Sequence, residues 1–164
     1  MARFRRWIRR TGRDRYAIAV PADARGVLDR LIGELRALLG ASTDEPALRR
    51  LFPTAYHDDP ELDRGYQVLA RDELLERRLA SLDALQASIG AKELDEAGLT
   101  AWMTAVNDVR LVLGTVLDVS EEQAPVAPDD PEAPRHAAYG FLTHLLGEIV
   151  DALADGLGDA DRKR

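Results

Sequence analysis

Apolar residues recur three or four positions apart through most of the chain, and this spacing predicts amphipathic helices. The first such run begins after Pro21 and ends at Gly40. The second begins at Pro60 and ends at Gly90, and it predicts one long helix or two abutting helices. Proline suits the first turn of a helix and glycine commonly follows the last turn, so both runs have plausible helix boundaries. Their apolar positions are Val27, Leu28, Leu31, Ile32, Leu35, Leu38 and Leu39 in the first run, and Leu62, Tyr66, Leu69, Leu75, Leu79, Leu82, Leu85 and Ile89 in the second.

Three more helices complete the predicted architecture. Asp95 is a candidate N-cap for a helix that contains Trp102 and is apolar on nearly every side over 111–113, a pattern that places it at the centre of the protein. A short helix is predicted over 46–51 and a final helix over 136–158. The chain is therefore predicted to be mainly α: a helical bundle of about five helices with a short N-terminal β-hairpin or extended arm.

Residues 1–20 are predicted to form this basic arm or hairpin. Residues 16–20 alternate partly between large and small side chains after a turn signal at Thr11-Gly12, which favours a strand. Residues 1–16 have a local charge of +6, whereas the whole chain has a net charge of −7. The arginines responsible are Arg3, Arg5, Arg6, Arg9, Arg10, Arg13 and Arg15.

The arginine-rich arm has two interpretations. Guanidinium groups bind phosphate through parallel hydrogen bonds, and Phe4, Trp7 and Tyr16 are interleaved as if to stack on bases, so the arm is a candidate site for DNA. Alternatively, the arm docks on a protein: on acidic helices of the same chain, on a second copy, or on a different partner. A homodimer is a further option, because the two longest apolar stripes exceed what one bundle needs to bury.

The chain is predicted to be one domain over residues 1–164, since this length fits a single hydrophobic core. After the arm come the main helices over 21–119, a linker rich in proline and acids over 120–135, and the C-terminal helix. Prolines at every third position in the linker favour the polyproline II conformation.

No residue pattern in the sequence indicates an active site. The absence of cysteine excludes disulfides, thiolate metal ligands and cysteine nucleophiles from this chain. His57 next to Asp58 and Asp59 resembles a metal cluster, but Asp59 is better explained as the cap of the helix that follows. We therefore predict a non-enzyme without cofactor or metal. Because no apolar run has the length of a membrane span or a signal-peptide core, a cytoplasmic location is expected.

A polar group interrupts the most apolar helix at Asn107, Asp108 and Arg110. Burying a charge is costly unless the charge is paired and hydrogen-bonded. One interpretation is a structural ion pair or a set of interhelical hydrogen bonds that fixes the bundle. The other is a polar patch that binds a partner or a ligand.

Several stretches resemble an actinobacterial family catalogued as domain of unknown function 2017. The match lies in the residue types, the order and the spacing of these stretches, which together with the extended start cover most of the chain. They are residues 51–61, residues 71–79 with Leu82-Asp83, and Ala101-Trp102 followed by residues 106–115.

The resemblance implies a regulatory role, because members of this family are similar to a mycobacterial oxidative-stress transcriptional regulator. It implies redox-responsive control through a transcription-factor partner, with a Cys-x-x-x-Cys pair near the N-terminus as the sensor. The corresponding positions here are Arg5 and Arg9, so the thiol sensor is not carried over. We expect a regulator that binds a protein partner, with a general interaction adaptor unrelated to DNA or transcription as the alternative.

Overall fold

Four α-helices and one small sheet make up most of the regular structure in the computed structural model, which describes residues 5–120 and 124–161. The sheet is antiparallel, with three strands in the order β1-β2-β3. In chain order the elements are β1 (Ile8–Gly12), β2 (Arg15–Ile18), α1 (Ala22–Ala41), a 3₁₀ turn (Pro46–Leu48), α2 (Pro60–Ala87), β3 (Glu93–Leu94), α3 (Glu96–Val116) and α4 (Ala133–Asp161).

The prediction of a mainly α protein is confirmed, but the count of about five helices is wrong by one. The segment 46–51 forms only a 3₁₀ turn at Pro46–Leu48. Pro46 fixes the start of this turn, and Pro53 disfavours the helical conformation of the residue before it. The interval between the two prolines therefore has room for little more than one turn.

The N-terminal hairpin forms, but its turn lies further along the chain than the sequence predicted. Ile8 pairs with Ile18 and Arg10 pairs with Tyr16, with a register irregularity between Arg10 and Gly12. The turn residues are therefore 13–14, and Gly12 is the last residue of β1. The strand β3, which pairs with Tyr16 and the residue after it, was not predicted because two residues are too few to show a period.

Helix α3 lies at the centre of the core and contacts each of the other three α-helices. Asp95 caps it as predicted: its Oδ1 accepts a hydrogen bond from Gly98 N at 2.7 Å. Trp102 is fully buried and donates its indole N–H to Ser88 Oγ at 2.8 Å. Residues 111–113 are only partly buried, because one side of α3 faces a shallow groove beside α1.

Helix α2 uses only its second half for the core. Leu82 and Leu85 are fully buried, as the apolar spacing predicts. Leu62, Tyr66 and Leu69 belong to the same apolar spacing, but they are exposed to solvent. The spacing correctly indicated a helix, but it did not indicate which side of the first half faces the protein.

Helix α4 begins at Ala133 and ends at Asp161, three residues beyond the expected 136–158 at each end. Pro134 lies in its first turn, where a missing N–H costs nothing because that group has no helical partner. Within the described ranges, no helix combines the length and the apolar character needed to cross a bilayer.

Candidate functional site

The N-terminal arm is fastened to α4 by one buried carboxylate, that of Glu148. Its Oε2 accepts hydrogen bonds from the backbone N–H of Trp7 at 2.6 Å and of Ile8 at 2.9 Å. Its Oε1 lies 3.0 Å from Nε2 of His144, one turn earlier on the same helix. The start of β1 therefore has a fixed position on the helical body, at a point where β1 would otherwise present unpaired N–H groups.

Three of the six arm arginines that the structure describes bind the protein itself. Arg6 pairs with Asp151 of α4 at 3.1 Å, and Arg15 pairs with Glu93 of β3 at 3.1 Å. Arg10 lies between its own hairpin and α4, where it donates to the backbone oxygen of Asp155 at 3.5 Å. These contacts agree with the interpretation in which the arm docks on acidic elements of its own chain.

A second group of arm arginines points into solvent. Arg5, Arg9 and Arg13 are exposed, and they form no ion pair with any residue in 5–120 or 124–161. Arg3 lies outside the described residues. We call Arg5, Arg9 and Arg13 the arginine surface, since among the described arm arginines they are the exposed ones without an ion pair.

Two aromatic residues of the arm, Trp7 and Tyr16, pack within the protein. The ring of Trp7 packs edge-on against His144, with centroids 5.2 Å apart, and against Phe141 at 5.9 Å. Tyr16 is fully buried, and this burial raises the pKa of its hydroxyl. Phe4 lies outside the described residues. The aromatic contribution to DNA binding is therefore absent for Trp7 and Tyr16.

The polar patch of α3 divides into two separate structural contacts. Asp108 is only 2% exposed and forms an ion pair with Arg78 of α2. Arg78 also donates to the backbone oxygen of Leu51 at 2.9 Å and lies over the ring of Phe52. Burial raises the pKa of the Asp108 carboxyl, and the charge of Arg78 opposes this shift.

Arg110 and Asn107 face α4 instead of α2. Arg110 donates to Asn107 Oδ1 at 3.1 Å and to the hydroxyl of Tyr139 at 3.3 Å. A Cβ on Gly114, one turn later, would lie only 2.9 Å from the Tyr139 ring, so a glycine permits the close approach of the two helices here. Both halves of the patch therefore connect helices within the protein.

The loop before α2 does not assemble a metal site. Asp59 Oδ1 caps α2 by accepting from Leu62 N at 3.0 Å, as predicted. Asp63 accepts from the backbone N–H of Ala55 at 2.8 Å and of Tyr56 at 3.2 Å, and these bonds hold its pKa below the usual range. The described residues contain no group of three or more potential ligands arranged for a metal ion.

A shallow groove lies between α1 and α3. Its volume is about 190 Å³, below the roughly 300 Å³ at which small-molecule pockets begin. Its charged lining residues are Glu34 and Arg135, and Arg135 already pairs with Glu132 at 2.9 Å. The groove therefore offers no evident set of polar groups for recognising a cofactor.

Sequence reasoning missed the partners that give these residues their roles, namely Arg78, Tyr139 and Glu148. Glu148 had a detectable signal, because it is an isolated acid within the apolar stripe of α4 that contains Leu145 and Ile149. Arg78 and Tyr139 had no such local signal, since each contacts a residue about thirty positions away in the sequence.

Comparison with known proteins identifies relatives with a regulatory name. The family described as "Domain of unknown function (DUF2017)" matches residues 1–153. The "Putative oxidative stress regulator AosR" of Mycobacterium leprae is 33% identical over 129 residues, covering 67% of this chain and 59% of the relative. The "Oxidative stress regulator AosR" of Mycobacterium tuberculosis is 30% identical over 141 residues, covering 71% of this chain and 65% of the relative. The chain thus spans less than two thirds of the length of these curated relatives. No solved structure matches it.

Proposed function

Because the chain belongs to the DUF2017 family, we propose that it is a non-enzymatic regulatory protein that acts in transcription or stress response by binding a protein partner. The observation that carries the proposal is the name of the relatives, which are oxidative stress regulators at 30% and 33% identity. The proposal locates the protein in the cytoplasm, where a transcription partner would be met.

The surface proposed for this partner is the arginine surface of Arg5, Arg9 and Arg13. Two properties support it: these side chains are exposed, and the backbone that carries them is held on α4 by Glu148. A preorganised surface loses less conformational entropy on binding than a flexible tail does. Since the surface is cationic, its partner presents carboxylates or phosphates.

The proposal contains no thiol sensor. The chain has no cysteine, and Arg5 and Arg9 occupy the region where the family resemblance implies a sensing pair. A regulator built in this way responds through the amount or the state of its partner instead of through its own oxidation.

A charge-reversal variant tests the arginine surface. We expect full-length protein from cells of the source organism to co-purify with a transcription protein identified by quantitative mass spectrometry. The triple variant Arg5→Glu, Arg9→Glu, Arg13→Glu should reduce this enrichment about tenfold or more, since reversed charges repel an acidic partner.

The matched control reverses three exposed arginines elsewhere, Arg30, Arg49 and Arg50, and changes the net charge equally. It should keep the enrichment within about twofold of the wild type, because residues outside an interface contribute little. Loss of the partner from both variants alike would contradict a specific arginine surface. If the partner that is enriched has no connection with transcription, the alternative of a general adaptor is correct.

DNA is the second candidate partner, and the exposure of the same three arginines favours it. With Trp7 and Tyr16 engaged inside the protein, phosphate contacts would dominate such binding. Three phosphate contacts give a slope of about −3 in a plot of log affinity against log salt concentration. A steeper slope would require contacts beyond these arginines.

A further inference from the structure

In the first three turns of α2, a stripe of polar side chains faces the protein. Asp63 binds the backbone of residues 55–56, as described above. Gln67 Nε2 donates to the backbone oxygen of Pro53 at 3.0 Å. Arg71 donates to the carboxylate of Asp44 at 2.7 Å. Positions 63, 67 and 71 are spaced by one turn, so they form a continuous polar stripe against the body.

Apolar side chains occupy the opposite side of the same turns. Leu62, Tyr66 and Leu69 have the i, i+4, i+7 spacing of a helical stripe and are 51%, 42% and 82% exposed. Val68 is 77% exposed, and the ring of Tyr56 packs edge-on against Tyr66 with centroids 6.0 Å apart. We call these five residues the α2 face.

Exposed apolar residues are concentrated at this place. Eight large hydrophobic residues are exposed in the described part of the chain, and five of them belong to the α2 face. The other three, Val116, Val150 and Leu157, lie on other helices. Scattered exposed hydrophobics need no explanation, whereas a local concentration of them is a candidate interaction site.

The charge around the α2 face selects the kind of partner. Residues 58–73 contain six acids and two arginines, a net charge of −4. In a face-to-face dimer of this chain, two surfaces that each have a net charge of −4 would lie against each other, and their repulsion is unfavourable. A partner with lysine or arginine beside its apolar residues would complement both the stripe and its acidic border.

We infer that the α2 face binds a basic amphipathic helix of another protein. The apolar side of that helix packs on Leu62, Tyr66 and Leu69, and its cations lie beside acids such as Glu61 and Asp72. This inference deepens the proposed function, on which it rests for the existence of a protein partner. It assigns that partner a second contact, distinct in charge from the arginine surface.

Synthetic model helices provide the test. The probe is a fluorescently labelled peptide of about 18 residues with leucines at helical spacing and lysines elsewhere, and its counterpart has glutamates in place of the lysines. We expect the full-length protein to bind the lysine peptide about tenfold or more tightly than the glutamate peptide, as measured by fluorescence anisotropy. Affinity for the lysine peptide should fall as salt is raised, because exposed charge pairs are screened.

The double variant Leu62→Ser, Leu69→Ser should bind the lysine peptide about tenfold more weakly, since it lacks two apolar anchors while its charge is unchanged. The control Val150→Ser, Leu157→Ser removes two exposed apolar residues from α4 and should leave the affinity unchanged. Circular dichroism checks that both variants keep their helix content.

Three results would overturn the inference: equal affinity for both peptides, equal loss in both variants, or a wild-type dimer in sedimentation that the Leu62 and Leu69 substitutions convert to a monomer. The last result would identify a second copy as the occupant. If the peptides do not bind while a transcription protein still co-purifies through the arginine surface, the inference fails and the proposed function stands. If the peptides bind and no transcription protein is ever recovered, the proposed function fails instead.

Discussion

Replacing Asp108 with alanine should lower the free energy of unfolding by about 3–5 kcal/mol, the cost typical of removing one partner from a buried ion pair. The substitution leaves the guanidinium of Arg78 without its carboxylate, in a place where the Asp108 side chain is 2% exposed. The remaining contacts of Arg78, to Leu51 O and the Phe52 ring, do not replace a negative charge. Urea denaturation followed by intrinsic tryptophan fluorescence measures this difference.

Two comparison variants test whether the burial of the Arg78–Asp108 ion pair causes this loss of stability. The exposed pair of Arg77 and Glu73 is the control, and Glu73→Ala should change the unfolding free energy by less than about 1 kcal/mol. The double variant Arg78→Met, Asp108→Leu should recover most of the loss, because apolar residues of similar volume need no compensating charge. An Asp108→Ala variant as stable as the wild type would show that the pair does not hold α2 on α3.

Replacing Glu148 with alanine should lower the free energy of unfolding by about 2–4 kcal/mol and release the N-terminal arm from α4. The reason is that the backbone N–H groups of Trp7 and Ile8 both lose their acceptor, and each buried donor left unsatisfied costs about 1–3 kcal/mol. Hydrogen exchange of these two amides should accelerate in the variant. Native-state exchange measured residue by residue detects this opening directly.

The control for Glu148 is Asp151, one turn later on α4, whose carboxylate pairs with Arg6 at an exposed position. Asp151→Ala should change stability by less than about 1 kcal/mol and leave the exchange of the Trp7 and Ile8 amides unaltered. Unchanged exchange in Glu148→Ala as well would mean that the strand pairing of β1 with β2 alone holds the arm.

Much of the fold could be predicted from the sequence because helices have a local signature. Pro60 and Asp59 mark the start of α2, and Asp95 marks the start of α3, through interactions within a few residues. The strand β3 could not be predicted in this way, because its existence depends on pairing with Tyr16, far away in the sequence. Local patterns therefore gave the helices but not the third strand.

The polarity of α2 shows a second limit. The spacing of Leu62, Tyr66 and Leu69 fixes the helical period but does not say which side faces the protein. That side is decided by the polar partners of Asp63 and Gln67, which lie in the loop before the helix. The usual rule that the apolar side of a helix faces the protein core therefore fails for the first half of α2.

The candidate site was predictable as a set of residues but not as a set of contacts. The charge pattern identified the arm arginines, whereas their division into paired and unpaired groups depends on acids such as Asp151 and Glu93. Likewise, Asp108 was recognised as a charge in an apolar helix, but its partner Arg78 is thirty residues away in the sequence. Such pairings are set by tertiary packing, to which local spacing is insensitive.

We propose that this DUF2017 protein regulates transcription by binding a partner. Transcript profiling under oxidative challenge tests this proposal in source-organism cells that lack the gene and are complemented with either the wild-type chain or the arginine-surface variant. We predict that disruption changes a defined set of transcripts, that wild-type chain restores them, and that the Arg5, Arg9 and Arg13 charge reversal does not. A transcript profile that disruption leaves unchanged, with and without the challenge, would contradict the claim.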